Sequence, residues 1–256
     1  MKISIITVVR NSQGTIGDCL LSVATQTHPD VEHVVVDGAS TDGTLEVIRK
    51  KGTHVATFIS EPDTGIYNAL NKAIALCTGS IIGILHADDV FYDSSILARV
   101  AEVFGHQEVD ACYGDLEYVA RDNIHSIFRM WKSKPFSPGM ILRGWMPAHP
   151  TVFLRRELYS RYGGFNERFH ISADYDLMVR LFHKYAIHSQ YIPCTFTRMR
   201  VGGASNRSLT NIIRKTSEDL QSLRMNGFSF ERWFIVLCKN LRKVSQFFPP
   251  QHENGN

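Results

Sequence analysis

ISIITVVRNSQGTIGDCLLSVATQTHPDVEHVVVD, residues 3–37, decides the fold. Ile3 to Val9 are β-branched and nearly continuous in apolarity, the mark of a strand buried on both faces. Residues 14–26 read as a helix, and residues 33–37 (HVVVD) as a second buried strand. The rhythm continues with helix signals from Thr41, where Asp42 sits in the first turn, and a third strand over 54–59. Residues 64–77 are amphipathic, because Ile66, Ala69, Leu70, Ala73, Ile74 and Cys77 recur at helical spacing. A fourth strand (80–85, SIIGIL) and a helix over 93–104 follow. Strands alternating with helices predict a mostly parallel, doubly wound α/β sheet.

After residue 104 the pattern changes. Residues 109–119 and 124–131 read as longer strands, with antiparallel pairing expected. Helical segments near 137–143, 155–162 and 173–185 flank a strand around 151–154. Residues 187–200 are extended, 201–208 form a loop, and 209–248 are helical up to a frayed end at Pro249.

The 256 residues carry 28 Lys+Arg and 25 Asp+Glu, a net charge of +3. Residues 1–206 hold 20 basic and 21 acidic side chains, while residues 207–256 hold 8 and 4. The positive excess therefore belongs to the tail, and a near-neutral body argues against nucleic acid as a partner. This divides the chain into a main domain, 1–206, and a basic helical extension, 207–256. Cys19, Cys77, Cys112, Cys194 and Cys238 form no CxxC pair, so neither a zinc site nor a disulfide framework is expected, and a reducing cytoplasm is the simplest home. No apolar run approaches the length of a membrane-spanning helix, and the N-terminus lacks the features of a signal peptide.

Ligands of an open parallel sheet sit beyond the carboxyl ends of its strands. Arg10, Asn11 and Ser12 follow the first strand, and Asp37 opens DGASTDGT after the second. EPDTGIYNALNK follows the third, and His86-Ala87-Asp88-Asp89 the fourth. Any one of these reads equally well as a turn or cap. Four polar ends in succession at one edge, rich in carboxylates, need a cation or donors to offset the repulsion. Ser40, Thr41 and Asp42 fit a helix cap. Asp37 does not, and its carboxylate suits a ligand's NH or OH groups. Tyr67, Asn68, Asn71 and Lys72 share the polar side of their helix. Asp88 and Asp89 suit a hard cation such as Mg²⁺ or Mn²⁺. His86 is expected to pack or hydrogen-bond away from them.

These blocks resemble glycosyltransferase family 2, the inverting, nucleotide-sugar-dependent enzymes of the GT-A fold. SIITVVRNS, VVVDGASTDGT, SEPDTGIYNALNKAI and GSIIGILHADDVFY match its donor half, and HPTVFLRRELYSRYGGFNERFHISADYDLMVRL its acceptor half. The likeness covers residues 1–206 and is closest to enzymes of bacterial exopolysaccharide, capsule or lipopolysaccharide synthesis. The resemblance implies that Thr7, Val9 and Asn11 line the nucleotide pocket and that Asp37 receives the base, usually uracil. It places Asp63 beside base and ribose, turns Asn71 and Lys72 toward the nucleotide, and counts Ser40 and Gly65 with the donor site. Asp88 would meet ribose or metal, and Asp89 would bind the Mn²⁺ or Mg²⁺ that bridges the diphosphate. His86 stands where the family often has an acid. Asp174 matches the catalytic carboxylate, with Ala173 before it where many members have Glu. Asp176 should point elsewhere, as a cap or ion-pair partner.

That implied chemistry has a hydroxyl attacking an anomeric carbon while a nucleoside diphosphate leaves. A divalent cation stabilises the leaving charge, and a carboxylate takes the hydroxyl proton. The donor would be a UDP-sugar, with GDP-sugars open, and the acceptor a glycan or lipid-linked sugar. His149, between two prolines' reach in MPAHPT, reads as a rigid turn or as a wall of the acceptor or diphosphate pocket. Trp145 reads as core. Arg198 and Arg200 are solvated or reach the diphosphate when the Gly202-Gly203 loop closes.

Residues 231–248 form an amphipathic helix with Trp233, Phe234, Leu237, Leu241, Val244 and Phe248 on one side. Arg232, Lys239, Arg242, Lys243 and Gln246 lie on the other. Packing by the apolar side with a solvated basic face, peripheral contact with an anionic inner-membrane leaflet, and oligomerisation all stay open. Competing functions are a sugar-phosphate nucleotidyltransferase, which would need a basic glycine-rich loop after the first strand, and a non-catalytic nucleotide-sugar-binding protein. A Rossmann dehydrogenase would need GxGxxG after a strand.

Overall fold

The structure, a computed structural model, describes residues 1–105, 108–202 and 209–245. In chain order the elements are β1 (Ile3–Val9), α1 (Ile16–Ala24), β2 (Val31–Asp37), α2 (Thr44–Lys51), β3 (Val55–Ser60), α3 (Ile66–Leu76), β4 (Ile81–Ile84), β5 (Val90–Phe91) and α4 (Ile96–Phe104). There follow β6 (Ala111–Val119), β7 (Ile127–Trp131), α5 (Gly139–Leu142), a 3₁₀ turn (His149–Thr151), β8 (Phe153–Arg155), α6 (Arg156–Tyr162) and α7 (Ala173–Val179). A π turn (Arg180–Lys184), β9 (Ser189–Arg200), α8 (Leu209–Met225) and α9 (Glu231–Ser245) complete the described chain.

One sheet runs β3-β2-β1-β4-β8-β6-β9-β5, with β7 on β6. The four strands from β3 to β4 are parallel, as their flanking helices require, and β8 joins β4 and β6 antiparallel. The chain moves outward from β1 to β3, then returns to β4 on the other side of β1. The crevice at the carboxyl ends of β1 and β4 is therefore the switch point of the sheet.

The strand pleat sorts the core into two layers. Ile3, Ile5 and Val9 of β1 pack with Ile16, Leu20, Leu97 and Val100 of α1 and α4. Ile6 and Val8 face the other way, toward Leu70, Leu158 and Leu177 of α3, α6 and α7. Leu223 of α8 and Ile235 and Val236 of α9 belong to that second layer. The extension beyond residue 209 thus closes one face of the sheet.

The tail differs from the sequence reading in two ways. It is two helices, parted at Asn226 and Gly227, where Gly227 takes φ +98°. And α9 sits the other way round from the packing expected of its apolar side. Its polar side faces the body: Lys239 Nζ is 2.8 Å from Asp219 Oδ2 and 3.3 Å from the centre of the Tyr175 ring, and Arg242 Nε donates to Arg143 O at 2.9 Å. Trp233, Phe234, Leu237 and Leu241 are exposed. Gln246, Phe248 and the end at Pro249 lie outside the described residues, as do Gly203 and the rest of the 203–208 loop.

α9 crosses the turn after α5 at Gly144, which has φ +68°. A Cβ there would lie 2.2 Å from Lys239 N and 2.7 Å from Lys239 Cα. Gly144→Ala adds both a disfavoured backbone conformation and a backbone clash, and should cost about 2–4 kcal/mol. Urea unfolding measures this, and an unchanged midpoint would show that α9 is not seated on Gly144.

Candidate active site

A cavity of about 640 Å³ opens at the switch point, lined by Val8, Val9 and Arg10 after β1 and by His86, Ala87 and Asp88 after β4. Asp63, Gly65 and Tyr67 line it from the start of α3, and His149, Phe165 and Asp174 from the second half of the chain. Asn211 and Arg214 of α8 complete the wall. Its volume suits a small molecule of nucleotide-sugar size.

The first two strand-end turns are locked to each other. Asn11 N donates to Ser40 Oγ at 2.8 Å, and Thr41 N donates to Asn11 Oδ1 at 2.8 Å. Asn11 (φ 51°) and Ala39 (φ 54°) both sit in the left-handed region, which single residues hold only when their surroundings fix them. Asp37 anchors this turn from below. Fully buried, it accepts from Ser40 N (2.9 Å), Ser40 Oγ (2.5 Å) and Ser60 Oγ (2.7 Å). Gly43 stands at the N-cap of α2, and Asp42 rather than Ser40 meets the helix start, accepting from Thr44 N at 2.9 Å. Gly38 is where the third strand end closes in, since a Cβ there would lie 2.3 Å from Asp63 Oδ2.

The acidic pair after β4 is split by the turn that leads to β5, in which Asp89 N donates to His86 O at 2.9 Å. Asp88 faces the cavity, while Asp89 is fully buried behind it. Asp89 Oδ1 accepts from Arg200 N at 3.2 Å, and Oδ2 has no hydrogen-bond partner among the described residues. Burial, reinforced by the Asp88 charge, pushes the Asp89 carboxyl well above the usual carboxylate range. Arg200 braces the same turn, donating to Asp88 O (2.8 Å) and Arg121 O (3.1 Å) and pairing with Asp18 (2.6 Å). Arg198 pairs with Glu117 at 3.1 Å. Neither arginine is solvated, and neither is free to reach a diphosphate. A hard cation usually takes one or two carboxylates, with waters and substrate phosphates filling its shell. Asp88 with an unsatisfied carboxylate oxygen behind it fits such an ion.

Asp174 is the second residue of α7, and its position is set from α8. Glu218 of α8 accepts from His170 N (3.1 Å), Ile171 N (2.8 Å) and Ser172 N (2.9 Å), the three backbone donors just before α7. Asp176 turns the other way, as expected, and accepts from Ser222 Oγ (3.1 Å) and Asn226 Nδ2 (3.0 Å) of the α8 end. Asp174 Oδ2 lies 3.1 Å from His149 Nδ1, and Tyr67 OH is 3.5 Å from Oδ1 while donating to Ile171 O at 2.7 Å. Burial opposes ionisation of Asp174, but His149, Lys215 and Lys239 outweigh it and hold the carboxyl below the usual range. Burial also lowers His149, more than Asp174 raises it. Near neutral pH the imidazole is uncharged, and its pull on Asp174 grows only in acid. The His86 ring meets the His149 ring edge-on at 5.8 Å, and burial with that neighbour holds His86 down at about 4.

Of the residues singled out from sequence, Val9, Asp63, Gly65, Asp88, His149 and Asp174 meet in this cavity. Others do not. Thr7 shares the pleat parity of Ile3 and Ile5, so its hydroxyl points into the α1 layer, donating to Leu85 O (2.9 Å) beside His33 Nε2 (3.0 Å). Asn11, Asp37 and Ser40 spend their polar atoms on the turns. Asn71 is turned to the acceptor half, exchanging hydrogen bonds with Phe165 N (2.8 Å) and Phe165 O (2.9 Å) and donating to Glu167 (2.7 Å). Lys72 pairs with Glu61 at 2.7 Å. His86, expected away from the site, lines it. Tyr67, expected on a polar helix face, is buried against Phe165 with ring centres 5.7 Å apart. Trp145 is core, beside Tyr113 and Phe136. Asn211, Arg214 and Lys215 were hidden in sequence, because nothing local ties α8 to strand ends more than a hundred residues earlier.

Residues 4–186 match the family described as Glycosyl transferase family 2. The chain is 33% identical over 246 residues to a PGL/p-HBAD biosynthesis glycosyltransferase of Mycobacterium bovis, covering 94% of this chain and 91% of that one. It is similar in structure to S. aureus TarS in complex with UDP-GlcNAc (TM-score 0.67, 18% identity, 96% of this chain and 73% of that one). It spans 45% of another, longer TarS chain. It is also similar to the mannosyltransferase PcManGT of Pyrobaculum calidifontis in complex with GDP-Man and Mn²⁺ (TM-score 0.63, 21% identity, 96% and 70%). Fold, family match and relatives agree that this chain belongs to glycosyltransferase family 2 and has the GT-A fold.

Proposed function

We propose that the enzyme moves a hexose or N-acetylhexosamine from a UDP-sugar to a hydroxyl of a glycan or lipid-linked sugar, with inversion at the anomeric carbon. Its setting is bacterial surface polysaccharide synthesis at the cytoplasmic face of the inner membrane. The observation that carries this reading is an ionised Asp174 sharing one cavity with Asp88. The donors seen with TarS and PcManGT support a uridine or guanosine diphosphate sugar in that cavity.

In this mechanism Asp174 accepts the proton of the acceptor hydroxyl as its oxygen forms a bond to the anomeric carbon. The bond from that carbon to the diphosphate oxygen breaks on the opposite face. His149 beside Asp174 orients the carboxylate and, as it gains a proton in acid, opposes protonation of Asp174. Asp88, backed by Asp89, would hold Mn²⁺ or Mg²⁺, which when bound supplies positive charge to the departing diphosphate. Arg10 and Arg214 line the same cavity and add to it.

Asp174→Asn should lower kcat by about 10²–10⁴-fold with donor affinity in calorimetry nearly unchanged. Near-native turnover would remove Asp174 as the base, and no turnover of any donor by the native chain would favour a binding protein. His149→Ala tests the pair through pH. The active form is the carboxylate, whose ionisation range is held low in part by His149. Removing His149 should move the acid limb of kcat to higher pH, and an unmoved limb would show that His149 does not act on Asp174.

Thermal shift against UDP- and GDP-sugars, each with Mn²⁺ or Mg²⁺, should pick out one nucleotide by a raised Tm. The metal-dependent part should vanish in Asp88→Asn. Asn71→Ala should lower Tm by loosening the 165–167 turn while leaving donor affinity intact, and a large affinity loss would return Asn71 to the nucleotide.

A further inference from the structure

Phe230, Trp233, Phe234, Leu237 and Leu241 are 56–88% exposed. Their spacing of three and four places them in one stripe along α9 and the residue before it. The opposite side of the helix is the one the body holds, through Ile235, Val236 and Lys239. A contiguous run of large apolar side chains on a soluble surface marks an interaction site.

The charges around the stripe indicate what it meets. Among the described residues 209–245 the acids are Glu218, Asp219 and Glu231. Glu218 and Asp219 are buried and turned inward, on the α7 entry and on Lys239. Only Glu231 of the three remains at the surface, against seven basic residues in the same stretch, of which Arg224 is exposed. The helix pair thus carries a net positive charge, and its outer side is apolar. A second copy docked symmetrically would bring two such positively charged helix pairs together. Anionic headgroups over acyl chains complement both features, with Trp and Phe suited to the interface.

We propose that the outer face of α9 seats the enzyme on an anionic lipid surface. The inference draws on the proposed transfer to a membrane-held acceptor for its purpose, not for the contact itself. Asn211 and Arg214 of α8, the helix packed beside α9, line the cavity, so the helix pair that meets lipid also walls the active site. An acceptor anchored in that surface is then presented to Asp174.

Sedimentation of the full chain with vesicles tests this. Phosphatidylglycerol–phosphatidylethanolamine vesicles should bind it about tenfold better than pure phosphatidylcholine. Trp233→Ser combined with Phe234→Ser and Leu237→Ser should abolish binding while Tm and donor hydrolysis stay native, since these side chains support no core. Absence of vesicle binding, equal binding to both compositions, or binding unchanged in the triple variant would overturn the proposal. So would a native dimer in ultracentrifugation that the triple variant splits, because the stripe would then belong to a second copy. An enzyme that binds vesicles yet transfers no sugar would instead fault the proposed reaction.

Discussion

The carboxylate of Glu218 on the backbone of residues 170–172 is the contact on which the catalytic half depends. The donors before a helix have no partners within the helix and must find them elsewhere. α7 is a short helix, and it enters from a loop that neighbouring strands do not hold. One charged acceptor taking three N–H groups fixes that loop, and such charge-assisted bonds are stronger than neutral ones. Asp176 repeats the tie one turn later, through Ser222 and Asn226. Between these two anchors Asp174 is left facing the cavity. A base must be held within hydrogen-bond reach of a hydroxyl to be of use, so α8 is a structural part of the site.

The acidic edge of the sheet poses an electrostatic problem that the fold solves residue by residue. Asp37 has its oxygens satisfied by two serine hydroxyls and a backbone N–H. Asp63 accepts from Gly65 N at 2.9 Å. Asp174 has nearby histidine and lysine side chains. Asp89 alone keeps a buried oxygen without a hydrogen-bond partner among these residues, next to Asp88 and therefore under the largest strain toward protonation. An unsatisfied buried carboxylate is costly. The site's remaining electrostatic demand is concentrated where a divalent ion would meet it.

The parallel half of the fold was legible because its signals are local. Apolar strands, amphipathic helices and polar strand ends each declare themselves within ten residues, and parallel pairing follows from their order. Asp88 was reached from its place at a strand end and Asp174 through family resemblance, and the cavity gathers both. Side-chain direction was harder. Thr7 lies in β1 and Asp89 just beyond β4, but the pleat turns one into the α1 layer and the turn after β4 sets the other behind its neighbour. Asn71 and Lys72 share the polar side of α3, yet Asn71 is taken by the acceptor half and Lys72 by Glu61, and the sequence pattern of α3 alone contains neither contact. Contacts from Glu218, Lys215 and Arg214 were illegible for the same reason, being long-range contacts with no local periodic trace.

The reversal of α9 shows why amphipathicity alone does not orient a helix. The hydrophobic stripe argues for inward packing only if the opposite side has nothing better to do. Here Lys239 has a buried carboxylate and an aromatic face to meet, and Arg242 a free carbonyl. Burial drags Lys239 down to about 7 despite Asp219, so this lysine is held inward at some cost to its charge. Ile235 and Val236 offset that cost by filling the second core layer. The stripe is then left over rather than satisfied. An apolar face that the fold leaves exposed while burying a lysine in its stead is best explained by a second environment that the chain meets outside its own core.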